Sequence, residues 1–226
     1  FSPLFSMVVP PAMTGEKMVR KESFWAEHLG EQVINPALSI RDDGLLEGGM
    51  SSGSRDAEGV PRQQRTLVDQ GRFCSMLWST RDAAQQVAEG RIEAAASTGS
   101  ASSGGHQSPP TTGCTELFLT STEAPRSMDQ LLAHMGDGYV VNSVMGAHTA
   151  NPSSGDFSVT TSSILKVENG EIVGSLKQAG LSGNLAKSLN GAVHLGSDVR
   201  RQGSYSSGSM HLPDVLLMDG LRVNPA

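Results

Sequence analysis

Asn169-Gly170 is the feature that most constrains this chain. Asn and Gly both tolerate a left-handed backbone, so the pair forms the two-residue turn that joins antiparallel strands. The flanking segments, 164–168 and 171–176, are rich in Ile, Leu and Val and bounded by turn formers, as hairpin strands are. The same grammar recurs twice. Segments 62–68 and 72–78 flank Asp69-Gln70-Gly71, which reads as a three-residue hairpin loop with Gly at its left-handed position. Segments 215–218 and 221–223 flank Asp219-Gly220 and read as another strand pair. Hairpins enforce antiparallel neighbours, whereas parallel strands need long crossovers.

Further strands are expected at 37–41, entering a turn at Asp42-Asp43-Gly44, and at 115–120, 139–145 and 193–199. Helices are fewer and shorter. Ser79 can cap 81–89, which Gly90 ends. Ser127-x-x-Gln130 is a capping-box pattern ahead of Leu131 and Leu132. Residues 184–189 form a short helix, and Met18, Phe24 and Trp25 space a helix over 15–28. Segment 97–113, STGSASSGGHQSPPTTG, is a long polar loop. With 26 Gly and 11 Pro in 226 residues and 18% charged residues, the chain favours short strands and turns. The expectation is one α+β domain over residues 1–226, a predominantly antiparallel β-sheet with a few short packed helices.

Charge and hydropathy exclude some functions. The net charge is −6, and the 17 Lys and Arg are scattered rather than gathered into a phosphate-binding stripe, so no direct nucleic-acid binding is expected. The opening FSPLFSMVVPPAM is apolar but lacks a basic leader region and is broken by Pro10-Pro11. No run approaches the roughly 20 apolar residues of a membrane span. A cytoplasmic protein without membrane attachment is expected. The chain begins at Phe1 rather than Met, as a fragment or processed product does. Cys74 and Cys114 have no metal-ligand spacing and read as two reduced, buried thiols.

Catalytic signatures are sparse. Gly49-Met50-Ser51-Ser52-Gly53 matches G-x-S-x-G, but that motif needs a strand before it and a helix after it, and here turn residues lie on both sides. The glycines of 99–105 lack the G-K-[ST] ending of a phosphate loop. His28, His106, His134, His148, His194 and His211 never occur as H-x-x-x-H or H-E-x-x-H, the spacings that put two imidazoles on one metal. Asp42-Asp43 and Asp56 with Glu58 are paired acids, and acids beside Gly are turn-makers more often than catalysts.

The order of the segments says more than their chemistry. RDDGLLEGGMSSGSRDAEGVPRQQRTLVDQGRF, STGSASSGG, GAHTANPSSGDFS with VENGEI, LSGNLAKSLNGAVHLGSDV and SSGSMHLPDVLLMDGL follow one another. From about Ser23 to the end, the chain resembles the carboxyl-terminal domain of the TldD/PmbA family, and within it the TldE (PmbA) branch. The resemblance implies a mostly antiparallel β domain of cytoplasmic peptidases that work as TldD–TldE pairs on peptides or partly unfolded proteins, including maturation of peptide antibiotics. The label "modulator of DNA gyrase" travels with the name PmbA.

In the TldD branch an H-E-x-x-x-H helix and a late cysteine hold a metal taken to be zinc, and the motif's Glu serves as general base. Here the matching positions carry Ser6 and Pro11 for the two histidines, Met7 for the glutamate and Ser207 for the cysteine. The resemblance therefore implies a chain with no catalytic residue, metal or cofactor of its own, with zinc in a TldD-type partner. The expected substrate is a peptide or unfolded protein. His148, Asn151, Gly155 and Asp156, in a family-matching loop, are its candidate substrate-cleft residues, with Gly155-Asp156 read as a tight turn. The resemblance covers the carboxyl-terminal domain alone, and the family's amino-terminal α/β domain is expected to be absent. Two alternatives stay open: a self-sufficient metallopeptidase using His148 and Asp156 with His106, His194 or His211, and a homodimeric scaffold without a peptidase role.

Overall fold

Asn169 and Gly170 take φ of 53° and 79°, as the hairpin requires. They join strands Asp156–Glu168 and Glu171–Leu176 in a computed structural model describing residues 1–103, 105, 107–203 and 208–225. In chain order the elements are α1 (Ser2–Ala12), α2 (Gly15–Val19), β1 (Leu38–Asp43), β2 (Gln64–Asp69), β3 (Arg72–Phe73), α3 (Thr80–Ala88), β4 (Ala101–Ser102) and β5 (Thr111–Thr112). There follow β6 (Glu116–Ser121), α4 (Met128–Met135), β7 (Gly138–Met145), a 3-10 turn (Ala147–Thr149), β8 (Asp156–Glu168), β9 (Glu171–Leu176) and β10 (Ala179–Asn184). The chain closes with α5 (Leu185–Asn190), β11 (Val193–Gly203), β12 (Ser209–Leu217) and β13 (Leu221–Pro225).

The strands form a six-stranded sheet, β11-β12-β6-β1-β2-β3, a second sheet, β13-β10-β8-β7, in which β9 also pairs with β8, and the small ladder β4-β5. All pairings are antiparallel except β12 with β6. This is the α+β architecture expected. Burial alternates along β8, with Phe157, Val159 and Thr161 inside, as a sheet with one covered face requires. One core joins Leu38, Ile40, Leu117 and Leu212 of the larger sheet to Phe157, Val159 and Leu181 of the smaller. Its centre is α1, whose Phe5, Val8 and Val9 are fully buried.

Several local expectations are corrected. Residues 1–13, read only as an interrupted apolar stretch, contain α1 (Ser2–Ala12); Pro10 and Pro11 fall in its last turn. The helix expected over 15–28 stops at Val19, and Lys21 and Glu27 turn the chain with positive φ. Asp42-Asp43 is not a turn: β1 runs through both, and both are buried. The loop after β2 is a two-residue turn, because Asp69 pairs with Arg72 and both Gln70 (φ 44°) and Gly71 (φ 78°) are left-handed. The strand expected over 72–78 ends at Phe73. Asp219-Gly220 does not close a hairpin, since β12 lies in the larger sheet and β13 pairs with β10 in the smaller. Cys74 is exposed, and only Cys114 is buried; neither is in a disulfide. Segment 97–113 is a loop that carries the β4-β5 ladder. Both caps form: the Ser79 side chain accepts from the Asp82 N–H, and Ser127 with Gln130 closes a capping box. No helix among the described residues is long and apolar enough to cross a membrane.

Candidate functional site

The most concentrated buried polar chemistry lies on the larger sheet. Strand register sets Arg41, Phe118 and His211 side by side across β1, β6 and β12. The His211 and Phe118 rings stack with centroids 4.1 Å apart, and the Arg41 guanidinium lies 4.6 Å from the Phe118 centroid. Two residues from Phe118 along β6, on the same face, Glu116 is fully buried. Its Oε2 lies 2.8 Å from His211 Nε2, and its Oε1 accepts the Ser51 main-chain N–H at 2.7 Å.

Glu116 thus ties the G-x-S-x-G segment to the sheet through Ser51's main-chain N–H. Residues 49–53 adopt no strand-to-helix elbow, so the hydrolase motif is not formed. Beside this network Asp42 Oδ1 accepts the Thr115 N–H at 2.7 Å, and Arg62 Nη1 donates to Thr115 Oγ1 at 2.9 Å. Burial pushes the Asp42 carboxyl up to about 6, against the pull of the Thr115 and Glu116 main-chain N–H groups and the Arg62 charge. Sequence reasoning assigned Asp42 to a turn and missed Glu116 and its pairing with His211. The available signal was an acid opening the otherwise apolar strand E-L-F-L.

The four cleft candidates fall on one loop but separate by role. Asn151 Oδ1 accepts the Ser153 N–H, and the Asn151 N–H bonds the Asp156 carbonyl. Gly155 has φ 80°, and the Leu185 N–H donates to its carbonyl. Asp156 accepts from Ser154 Oγ at 2.7 Å and from Asn184 Nδ2 at 2.8 Å. Those bonds hold its carboxyl below the usual range, the Asn184 bond contributing most. Asn184 also caps α5 by accepting the Lys187 N–H. Asn151, Gly155 and Asp156 therefore brace the junction of loop and α5; the turn itself lies over 152–154, with Gly155 left-handed after it and Asp156 opening β8 rather than forming the turn expected. His148 stands apart, exposed on the 3-10 turn.

The positions matching H-E-x-x-x-H lie on α1, where Ser6 is fully buried. A hydroxyl, a thioether and a prolyl ring are not a zinc donor set, so these residues do not fit the metal. Ser207 lies outside the described residues, as does His106. Among the described residues no three His, Cys, Asp or Glu side chains converge as a metal site. His194 Nδ1 instead pairs with Glu123 at 3.0 Å. A groove of about 520 Å³ opens where the two sheets approach, with Phe1, Leu4, Leu131, Val141, Leu181 and Leu216 among its walls and Asp137, Arg200 and Asp214 beside them. That volume and lining suit apolar side chains of a ligand.

A mostly antiparallel α+β domain with a buried helix packed between its two sheets defines the class. The chain belongs to the family described as the PmbA/TldA metallopeptidase C-terminal domain, whose model matches residues 1–224. It is 32% identical over 208 residues to an uncharacterised protein of Methanocaldococcus jannaschii, covering 92% of this chain and 46% of that one. It is 28% identical over 204 residues to the metalloprotease PmbA of Escherichia coli O157:H7, covering 90% and 41%. Among solved structures, a candidate modulator of a DNA gyrase from Thermotoga maritima matches at TM-score 0.80 and 30% identity over 100% of this chain and 47% of that one. TldE from Thermococcus kodakarensis shares the fold at TM-score 0.82 and 24% identity, over 99% of this chain and 48% of that one. The chain thus spans less than half the length of these relatives.

Proposed function

We propose that this chain is the non-catalytic, cleft-forming subunit of a TldD/TldE-type zinc metallopeptidase complex that acts on peptides or unfolded proteins in the cytoplasm. The observation that supports the reading is the composition of α1: Ser6, Met7 and Pro11 stand on an intact helix at the positions that the resemblance matches to His, Glu and His of the TldD branch. In this reading the zinc and the water it activates belong to a TldD-type partner, and this chain has no cofactor. Its part is to bind and orient an extended peptide. The groove receives apolar side chains, and sheet edges offer main-chain hydrogen bonds that tolerate many sequences. His148 is the exposed contact, and Asn151, Gly155 and Asp156 hold its loop in place. The test is peptide cleavage by the purified chain with and without a TldD-type partner. Chelator-sensitive cleavage is expected only with both, and robust chelator-sensitive cleavage by the chain alone overturns the reading.

A further inference from the structure

Methionines gather where the groove opens. The face that α4 turns to it is Met128, Leu131, Leu132 and Met135, a helical spacing that puts one methionine at each end of a single stripe. Met218, one residue past β12, lines the same groove. Met128 and Met218 are 43% and 44% exposed, so their side chains stand at the mouth. Met135 is sheltered, since a Cβ on Gly138 would fall 2.6 Å from its sulfur, against the start of β7. Elsewhere Met13, Met18 and Met210 are buried. Met50 and Met145 are exposed away from the groove, Met145 following the groove residue Val144 on β7 and so pointing to the other face of that strand.

A thioether on a flexible, unbranched chain adapts to apolar partners of different shapes, which suits a groove that accepts many sequences. The same sulfur is a two-electron reductant. With hydrogen peroxide, the sulfur lone pair attacks one oxygen, the O–O bond breaks and an S–O bond forms. The proton on the attacked oxygen passes to the other, which leaves as water; the peroxide is reduced and the methionine becomes its sulfoxide. That group is polar, and an apolar side chain settling beside it strips the water from its oxygen at a cost in binding free energy. The sulfoxide is reversible by enzymatic reduction.

We propose that Met128 and Met218 form an oxidant-sensitive pair at the mouth of the groove: a hydroperoxide converts them to sulfoxides, which weakens the binding of apolar peptide side chains, and their reduction restores it. The proposal rests on the reading of the groove as a peptide site and is independent of any metallopeptidase partner.

The intact chain is titrated with hydrogen peroxide, and binding of a dansyl-labelled Leu-Phe-Leu peptide is followed by fluorescence anisotropy. Peptide mass spectrometry is expected to find one added oxygen on Met128 and Met218, as on Met50 and Met145, before any on Met13 or Met210. At that stage the dissociation constant of the peptide is expected to rise about tenfold. Each variant is compared with itself before and after oxidation. M50L/M145L is expected to show the same rise, and M128L/M218L, with no thioether at the mouth, a change of less than about twofold. Methionine sulfoxide reductases with dithiothreitol are expected to restore binding, whereas dithiothreitol alone does not, which separates sulfoxide formation from oxidation of the exposed Cys74 thiol. An affinity unmoved once both residues are oxidised, or a rise that M128L/M218L shares, overturns the proposal. A parent that binds no peptide before oxidation overturns the reading of the groove, and the proposal with it.

Discussion

Asp42 carries a cost that depends on pH. Burial raises its carboxyl from an ordinary 3.8 to about 6. Because the folded value lies above the unfolded one, the stability from its protonation is full below the unfolded value and is lost as pH rises through about 6. The gap of about two units corresponds to roughly 3 kcal/mol. Asp42→Asn keeps an acceptor for the Thr115 N–H and removes the charge. Relative to the parent, it is expected to gain roughly 1–3 kcal/mol near pH 7.5 and almost nothing near pH 3, below the unfolded value. Urea unfolding of both proteins at the two pH values measures this, and a gain independent of pH contradicts it. Glu116 supplies the contrast with its neighbour in the loop. Glu116→Ala strips His211 and the Ser51 N–H of their buried partner and is expected to cost about 3–5 kcal/mol in urea unfolding. Ser51→Ala keeps the N–H and is expected to stay within about 0.5 kcal/mol of the parent. A large loss from Ser51→Ala returns the hydroxyl to consideration. Neither acid was legible as a buried group in the sequence. What buries them is a third strand, β6 against β1 and β12, contributed from far along the chain.

At the scale of elements, what a few consecutive residues determine was legible. Asn169-Gly170, the Ser127 capping box and the Ser79 cap form because their partners lie within four residues. Gly71 belongs with them. At φ 78°, a Cβ there would lie 1.7 Å from Gln32 Nε2 and 2.4 Å from the Ile34 carbonyl oxygen, so Gly71→Ala is expected to cost about 2–4 kcal/mol. Thermal unfolding checks this, and a Tm within a degree of the parent's shows that the hairpin can rearrange around a side chain. Elements defined by distant partners were not legible. β13 was read as the mate of β12 because only two residues separate the candidate strands, yet it crosses to β10 in the other sheet. Asn184 was seen only as the start of a helix, while its side chain also donates to the Ser154 carbonyl and to Asp156. Losing one cap and two bonds, Asn184→Ala is expected to lower stability by about 1–3 kcal/mol. Hydrogen exchange is expected to speed up at Lys187 and through 151–156 together. Faster exchange at Lys187 alone means that the loop does not depend on the cap.

At the scale of the molecule, α1 turns two sheets into one folding unit. Its buried face joins a core with residues of both sheets, and it touches α5, β12 and the 3-10 turn. Ser2 Oγ also reaches Gln202 near the far end of β11. The candidate site shares this organisation, since Phe1 and Leu4 stand in the groove walls alongside residues of β7, β10 and β12. The helix was hidden in the sequence because Pro10 and Pro11 argued against it. They fall in the last turn, and tertiary burial of Phe5, Val8 and Val9 outweighs their cost. The helix on which the resemblance places the metal-ligand positions is thus the one that packs against both sheets. Phe5 is fully buried at this junction, so Phe5→Ala is expected to cost about 3–5 kcal/mol. It is also expected to shift one common transition rather than split it. Trp25 packs on Phe73 of the larger sheet, with ring centroids 5.5 Å apart, and its fluorescence reports unfolding on that side. Far-UV circular dichroism reports both sheets. If α1 couples them, the two signals keep coincident urea midpoints in Phe5→Ala, displaced together from the parent's. Separated midpoints mean that the sheets fold independently and that α1 fills a gap between them without linking their stabilities.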